Sequence, residues 1–231
     1  MPTATKVRRA LRRPAVPARY RCAPPTQRRG HETLERFAEA AEELLRERAF
    51  EDIGVHDIVR RAGRPIGSFY ARFGSKEALL PYLYQRYHDG LESMVAASFS
   101  GGSWERLDFH ETVAAVVDAL LEPYSERRWL IRALAIFARQ RPEALPFDVA
   151  VRRKAVLAPP LARLLWFRDR IRHTDPEAAV RFGIFFVTST AREKLLFPEA
   201  PNARATAMTR AALRDELVRA LGAYLSHEAP R

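Results

Sequence analysis

The stretch VHDIVRRAGRPIGSFYARFGSK, residues 55–76, decides how the whole chain is read. Its first part, Val55 to Ala62, spaces apolar side chains as a helix does and stops at Gly63, a residue suited to the left-handed turn that ends a helix. Pro65 reads as the first-turn residue of a shorter second helix, 65–73, with Gly74 as its stop. Together these form a helix-turn-helix. At roughly 100° per residue with Phe69 at zero, Phe73 and Ile66 fall within about 60° and predict one apolar packing face. Arg64, Gly67, Ser68 and Ala71 fall on the opposite side, a small, polar and basic face of the kind that lies close to base edges. Tyr70 and Arg72 flank it, in reach of phosphate walls on either side, although Tyr70 alone reads equally as a packing aromatic and Arg72 alone as a solvated charge. Lys76, opening the next helix beside free backbone N–H groups, adds a positive charge. Pro65, and Val55 and His56 at the start of the first helix, complete the candidate DNA-facing set.

Working outward, helical spacing continues in both directions. Upstream, Leu34, Phe37, Ala38, Ala41, Leu44 and Leu45 form a stripe, with Thr33 as the expected N-cap. Downstream, Ser75 is expected to cap a long helix reaching about Ser98. After the Gly101-Gly102-Ser103 break, five more helices are predicted at about 107–121, 126–139, 147–170, 176–196 and 204–226, the third bent or broken at Pro159-Pro160. No alternating strand pattern appears. The expected fold is all-α: a head over 31–80 containing the helix-turn-helix, and a larger body of about six helices over 81–231.

Composition bounds the function. Of 231 residues, 47% are hydrophobic and 29% charged, the balance of a globular protein rather than a disordered one. The longest strictly apolar run, Ala133 to Ala138, is far too short to span a membrane. With a single cysteine, Cys22, no intrachain disulfide or multi-cysteine metal site can form, and a reducing, cytoplasmic setting is the default. The net charge of +11 is concentrated in residues 1–30, which hold nine Arg or Lys and no acid. With five prolines there, this arm is expected to be extended and disordered. It suits a polyanion such as DNA, but reads also as a targeting leader or a solvated tail.

The order and spacing from Thr33 to Leu80 resemble the DNA-binding head of the TetR (tetracycline-repressor-like) family. The resemblance is carried by Phe50, Val55, Asp57-Ile58, Ala62-Gly63, Gly67-Ser68-Phe69-Tyr70, Phe73 and Ser75-Lys76-Glu77-Ala78-Leu79. It implies that Gly67 and Ser68 sit against DNA and that Tyr70 and Lys76 contact phosphate. It also implies a ligand-sensing body whose last two long helices pair with a second chain in a four-helix bundle. Three positions depart from the family pattern. Gly54 stands where Ser or Thr caps the second helix, Ala49 where glycine ends the first, and Arg64-Pro65 replaces an apolar-hydroxyl pair. Arg64 is able to read guanine bidentately.

For the body, Phe182, Phe185 and Phe186 on one helix and Leu213, Leu217, Leu221 and Tyr224 on the next are the expected dimer stripes, though an intramolecular core gives the same pattern. Tyr124, Trp129, Phe137, Trp166 and Phe167 are candidates for an aromatic cavity, or plain core. The function expected is a homodimeric regulator on a pseudo-palindromic double-stranded operator, most simply a repressor released by a small, largely apolar molecule. Activation or corepression by the same fold, and non-specific DNA coating by the basic arm, are the alternatives. No cofactor, metal or membrane is implied. Six scattered histidines and the lack of a Gly-x-Ser-x-Gly elbow, P-loop or dinucleotide fingerprint argue against an enzyme.

Overall fold

In the computed structural model, residues 16–25, 27–145 and 149–227 are described; the first half of the predicted arm, residues 1–15, lies outside them. The head comprises α1 (Arg28–Glu47), α2 (Val55–Ala62) and α3 (Ile66–Tyr70). The body comprises α4 (Leu79–Ser98), α5 (Phe109–Leu121), α6 (Pro123–Glu126), α7 (Arg128–Gln140), α8 (Val149–Leu165), α9 (Pro176–Leu196), α10 (Pro201–Ala205) and α11 (Arg210–Ser226).

Local chemistry explains most of the boundaries. Gly63 ends α2 at φ 62°, ψ 41°, where any Cβ would be strained. Asp108 and Glu111 form a reciprocal capping box on α5, with bonds of 2.8 and 2.9 Å. Asp175 caps α9 just before Pro176, and Thr209 caps α11. The single helix expected over 204–226 is therefore two, because Thr209 starts α11 afresh after α10 ends at Ala205. Both Pro159 and Pro160 lie inside α8, which continues to Leu165. Thr33 is not a cap: α1 begins five residues earlier, and the Thr33 hydroxyl donates to the Arg29 carbonyl at 2.8 Å. No glycine is needed after α1, since Arg48 leaves it in extended conformation at φ −156°.

Two cores organise the chain. The first gathers Leu34, Phe37, Ala41 and Leu44 of α1, Ile58 of α2, Phe69, Phe73 and Leu83 of α4 around Leu130, Leu134 and Phe137 of α7. The second packs Val95 and Phe99 against α5, α8, α9 and α11. Among the described residues only α4 contributes buried residues to both cores, and α7, although part of the body in sequence, is buried in the head's core.

The arm ends earlier than its composition implied. From Val16 the chain is a strap laid along the head. Tyr20 is buried against Phe137 with ring centroids 6.1 Å apart. Cys22 pairs as an isolated bridge with Phe73, the Ala23 N–H donates to the Arg72 carbonyl at 2.8 Å, and the Ser75 hydroxyl donates to the Arg19 carbonyl at 2.9 Å. Burial pushes the Cys22 thiol up to about 11, so it is protonated at neutral pH.

At the closest approach of α9 and α11, a Cβ on Gly183 would overlap the buried Leu221 side chain. Gly183→Ala is expected to cost about 1–3 kcal/mol through overpacking, measured as a lower midpoint in urea with unchanged slope.

Candidate nucleic-acid interface

The helix-turn-helix is built around one aromatic anchor. Phe69 is fully buried and meets Phe37 edge-on at 5.3 Å and Phe73 at 5.0 Å between ring centroids. This pins the inner side of α3 and fixes which residues turn outward. Tyr70 is 54% exposed, its ring set edge-on against Phe69. Gly67, Pro65 and Ala71 are exposed and Ser68 is half-buried. A Cβ at Gly67 would meet nothing within 4 Å, so no internal contact requires glycine there. Its small size instead lets a foreign surface come close to the backbone. Arg64 is half-buried, and among the described residues its buried Nε has no hydrogen-bond partner.

Ile66 departs from the predicted packing face: it is 38% exposed. The reading assumed a helix to residue 73, but α3 ends at Tyr70. Phe73 therefore reaches the core from the segment after the helix, while Ile66 occupies its outer first turn. Sequence reasoning does not place Ile66 on the outer face because an apolar side chain is assigned inward by default. Gly74, read as a left-handed stop, does not have positive φ.

The flanking groups divide. His56 is exposed at the start of α2, whereas Val55 is half-buried and packed on the first core. The Arg72 guanidinium lies over the first turn of α1, and a Cβ at Gly30 would come within 2.6 Å of it. Ser75 uses its hydroxyl on the strap rather than as a cap. Without a hydroxyl at Gly54, α2 keeps the other half of its cap: the Gly54 N–H donates to Asp57 at 3.0 Å. That bond, then Arg48 and Arg60, hold the Asp57 carboxyl below the usual range.

Lys76 is not placed for the phosphate contact that the resemblance implied. Its ammonium donates to the carbonyls of Phe50, Glu51 and Ile53 at 3.1, 3.2 and 2.9 Å, engaging all three of its protons. Partial negative charge converges where the short turn Phe50–Asp52 ends, and the cation neutralises it there. Lys76→Met is expected to cost about 1.5–3 kcal/mol of stability while leaving the salt dependence of DNA binding intact. Unchanged stability with a salt slope reduced by about one unit would restore the phosphate role.

The five candidate pocket residues do not come together. Trp129 and Phe137 pack in the first core, with Arg46 stacked over the Trp129 ring at 4.9 Å. Tyr124 and Phe167 pack against the second core, and Trp166 is 55% exposed beneath Arg163. The predicted dimer stripes also separate. Leu213, Leu217 and Leu221 are buried within the protomer because α11 packs on α5 and α9. Phe182, Phe185 and Phe186 stand exposed, with Tyr224 beside Phe182 at 5.4 Å. A small cavity of about 170 Å³ lies among Phe182, Gly183, Phe186, Ala220, Leu221 and Tyr224.

A buried aromatic anchor behind a short, open helix face gives the head the form of a helix-turn-helix. Residues 38–83 match the family model described as bacterial regulatory proteins, tetR family. Over this head the chain is similar to the DNA-binding heads of that family. It is similar to YwcC, an uncharacterised HTH-type transcriptional regulator of Bacillus subtilis, at 43% identity over 54 residues. That match spans 23% of this chain and about a quarter, 24%, of the relative. Two solved structures share the fold over most of both chains. One is described as a TetR-family transcriptional regulator from Mesorhizobium loti, with TM-score 0.59, 15% identity, and 86% and 98% of the two chains covered. The other is Salmonella enterica GusR, with TM-score 0.54, 19% identity, and 84% and 95% covered.

Proposed function

We propose that this chain is a dimeric, ligand-responsive regulator that binds a pseudo-palindromic operator and represses transcription until a small molecule releases it. The open face of α3, anchored from behind by Phe69, carries the reading. Ser68 and the backbone at Gly67 approach the base edges, Ile66 suits a thymine methyl, Arg64 suits guanine, and Tyr70 reaches phosphate. The exposed Phe182, Phe185 and Phe186 are the contact with a second copy, which places two heads on successive major grooves roughly 34 Å apart. α4 and α7 carry the ligand signal, since both are buried in the head's core while belonging to the body. Among the described residues no helix is long and apolar enough to cross a membrane, and the proposed setting is the cytoplasm.

Fluorescence anisotropy at physiological salt tests this, with the protein's own upstream intergenic DNA against a scrambled duplex. A preference of about 10³-fold or more is expected. Near-equal binding with a steep loss in salt would instead identify non-specific coating by the basic arm. In the same assay Gly67→Leu is expected to abolish the preference without lowering stability, because the position faces open space.

A further inference from the structure

Where α4, α8 and α9 meet, two arginines have no acid partner among the described residues. Arg152 and Arg153 are neighbours on α8 with opposite fates. Arg152 is paired with Asp89 and Glu92 of α4. Arg153 is turned inward, where its guanidinium donates to the Thr188 hydroxyl of α9 at 3.3 Å. Arg192 lies one turn further along α9 and so shares the face that carries Thr188. Among the described residues neither Arg153 nor Arg192 has a carboxylate within 4 Å, although ten other arginines do. The surroundings are aromatic: Tyr84 is buried, and His88 stacks on it at 4.5 Å and on Tyr87 at 5.3 Å. Burial, then the like charge of Arg192, lowers the Arg153 pKa from its ordinary value. Burial together with Arg152 and Arg153 pushes His88 down to about 4, so it adds no charge at neutral pH.

A guanidinium cannot shed its proton at neutral pH, so a half-buried Arg153 with no acid among the described residues, and with Arg192 adding like charge, is held at a cost. An incoming oxyanion would remove that cost and accept from both planar donor forks. We infer that Arg153 and Arg192, with the Thr188 hydroxyl, form the head-group end of the effector site, and that the effector is a small organic carboxylate whose hydrocarbon part lies among Tyr84, Tyr87 and Tyr124. A carboxylate is favoured over a phosphate because a single negative charge is less costly to bring into an aromatic interior than a double one. This inference rests on the proposed reading of the body as an effector-sensing domain, and it replaces the largely apolar effector expected from the sequence with an acid.

The test is thermal unfolding of the full chain with benzoate, hexanoate or phenylacetate, against benzyl alcohol and inorganic phosphate, each at about 10–20 mM. At least one carboxylate is expected to raise Tm, by about 5–10 °C where it reaches roughly a hundredfold excess over its Kd. Benzyl alcohol is expected to raise it far less. Arg153→Met is expected to melt no lower than wild type, since it removes an unpaired charge, and to lose the carboxylate response. Arg192→Gln supplies the same test should the first variant fold poorly. No response to any carboxylate, an equal response to benzyl alcohol, or a response surviving in both variants would overturn the site. A response to phosphate alone would overturn the carboxylate assignment. Anisotropy on operator DNA separates this inference from the regulator reading. A carboxylate that stabilises through both arginines yet leaves DNA affinity unchanged upholds the site and refutes ligand control. Release of DNA by neutral compounds alone upholds ligand control and refutes the site.

Discussion

Replacing Phe182 and Phe185 together by glutamate is expected to make the protein monomeric and to weaken operator binding by about 10²–10⁴-fold. The two rings are 54% and 57% exposed on α9, and Phe186 beside them is 38% exposed. Single exposed apolar residues are ordinary, but three phenylalanines on one helix face form a patch of the kind that marks an interaction surface. Four like charges across a two-fold contact would oppose pairing, and each monomer would then hold only one half-site. The loss is the loss of bivalency, which contributes about 10²–10⁴ without any change in the contact each head makes. Sedimentation velocity and anisotropy on the same samples check it. A variant that remains dimeric would remove α9 from the interface.

The second large effect is expected from Phe69→Ala. This fully buried ring touches Phe37, Phe73 and Tyr70. Truncation should cost about 3–5 kcal/mol, from lost transfer energy and the cavity left behind. That is a large share of the 5–15 kcal/mol that usually holds a domain together. Urea unfolding and operator binding should both fail, whereas Tyr70→Phe, which removes only a surface hydroxyl, should weaken DNA binding and leave the midpoint in place. A Phe69→Ala protein with wild-type stability would mean that α3 is anchored elsewhere.

Features set by neighbouring residues were readable in advance. The bounds of α2 follow from the apolar spacing of Val55 to Ala62 and from Gly63, and those of α9 from Pro176 with Asp175 before it. The start of α1 was hidden because residues 28–32 are polar apart from Gly30, so a search for apolar repeats notices the helix only at Leu34. Lys76 could not be placed from sequence, since the carbonyls it binds belong to residues 50–53 and converge only in the folded head. The leucine stripe of α11 shows the same limit: spacing reveals a buried face but not what covers it, and here α5 and α9 of the same protomer do. Nothing in the sequence singles out Arg153 and Arg192 among 39 basic residues, because burial and the lack of an acid partner among the described residues are set by the fold.

The sharing of α7 with the head also bears on how such proteins can be recombined. A boundary at residue 80 looks like a natural joint in the sequence, yet a fragment cut there would leave behind Leu130, Leu134 and Phe137, which close the head's core. Tyr20, which packs on Phe137, would lose its support as well. Grafting residues 16–80 onto an unrelated sensor would therefore expose an apolar surface rather than transfer a DNA-binding module. During synthesis the same dependence sets an order, because the DNA-reading end, made first, remains uncovered until α7 has been made.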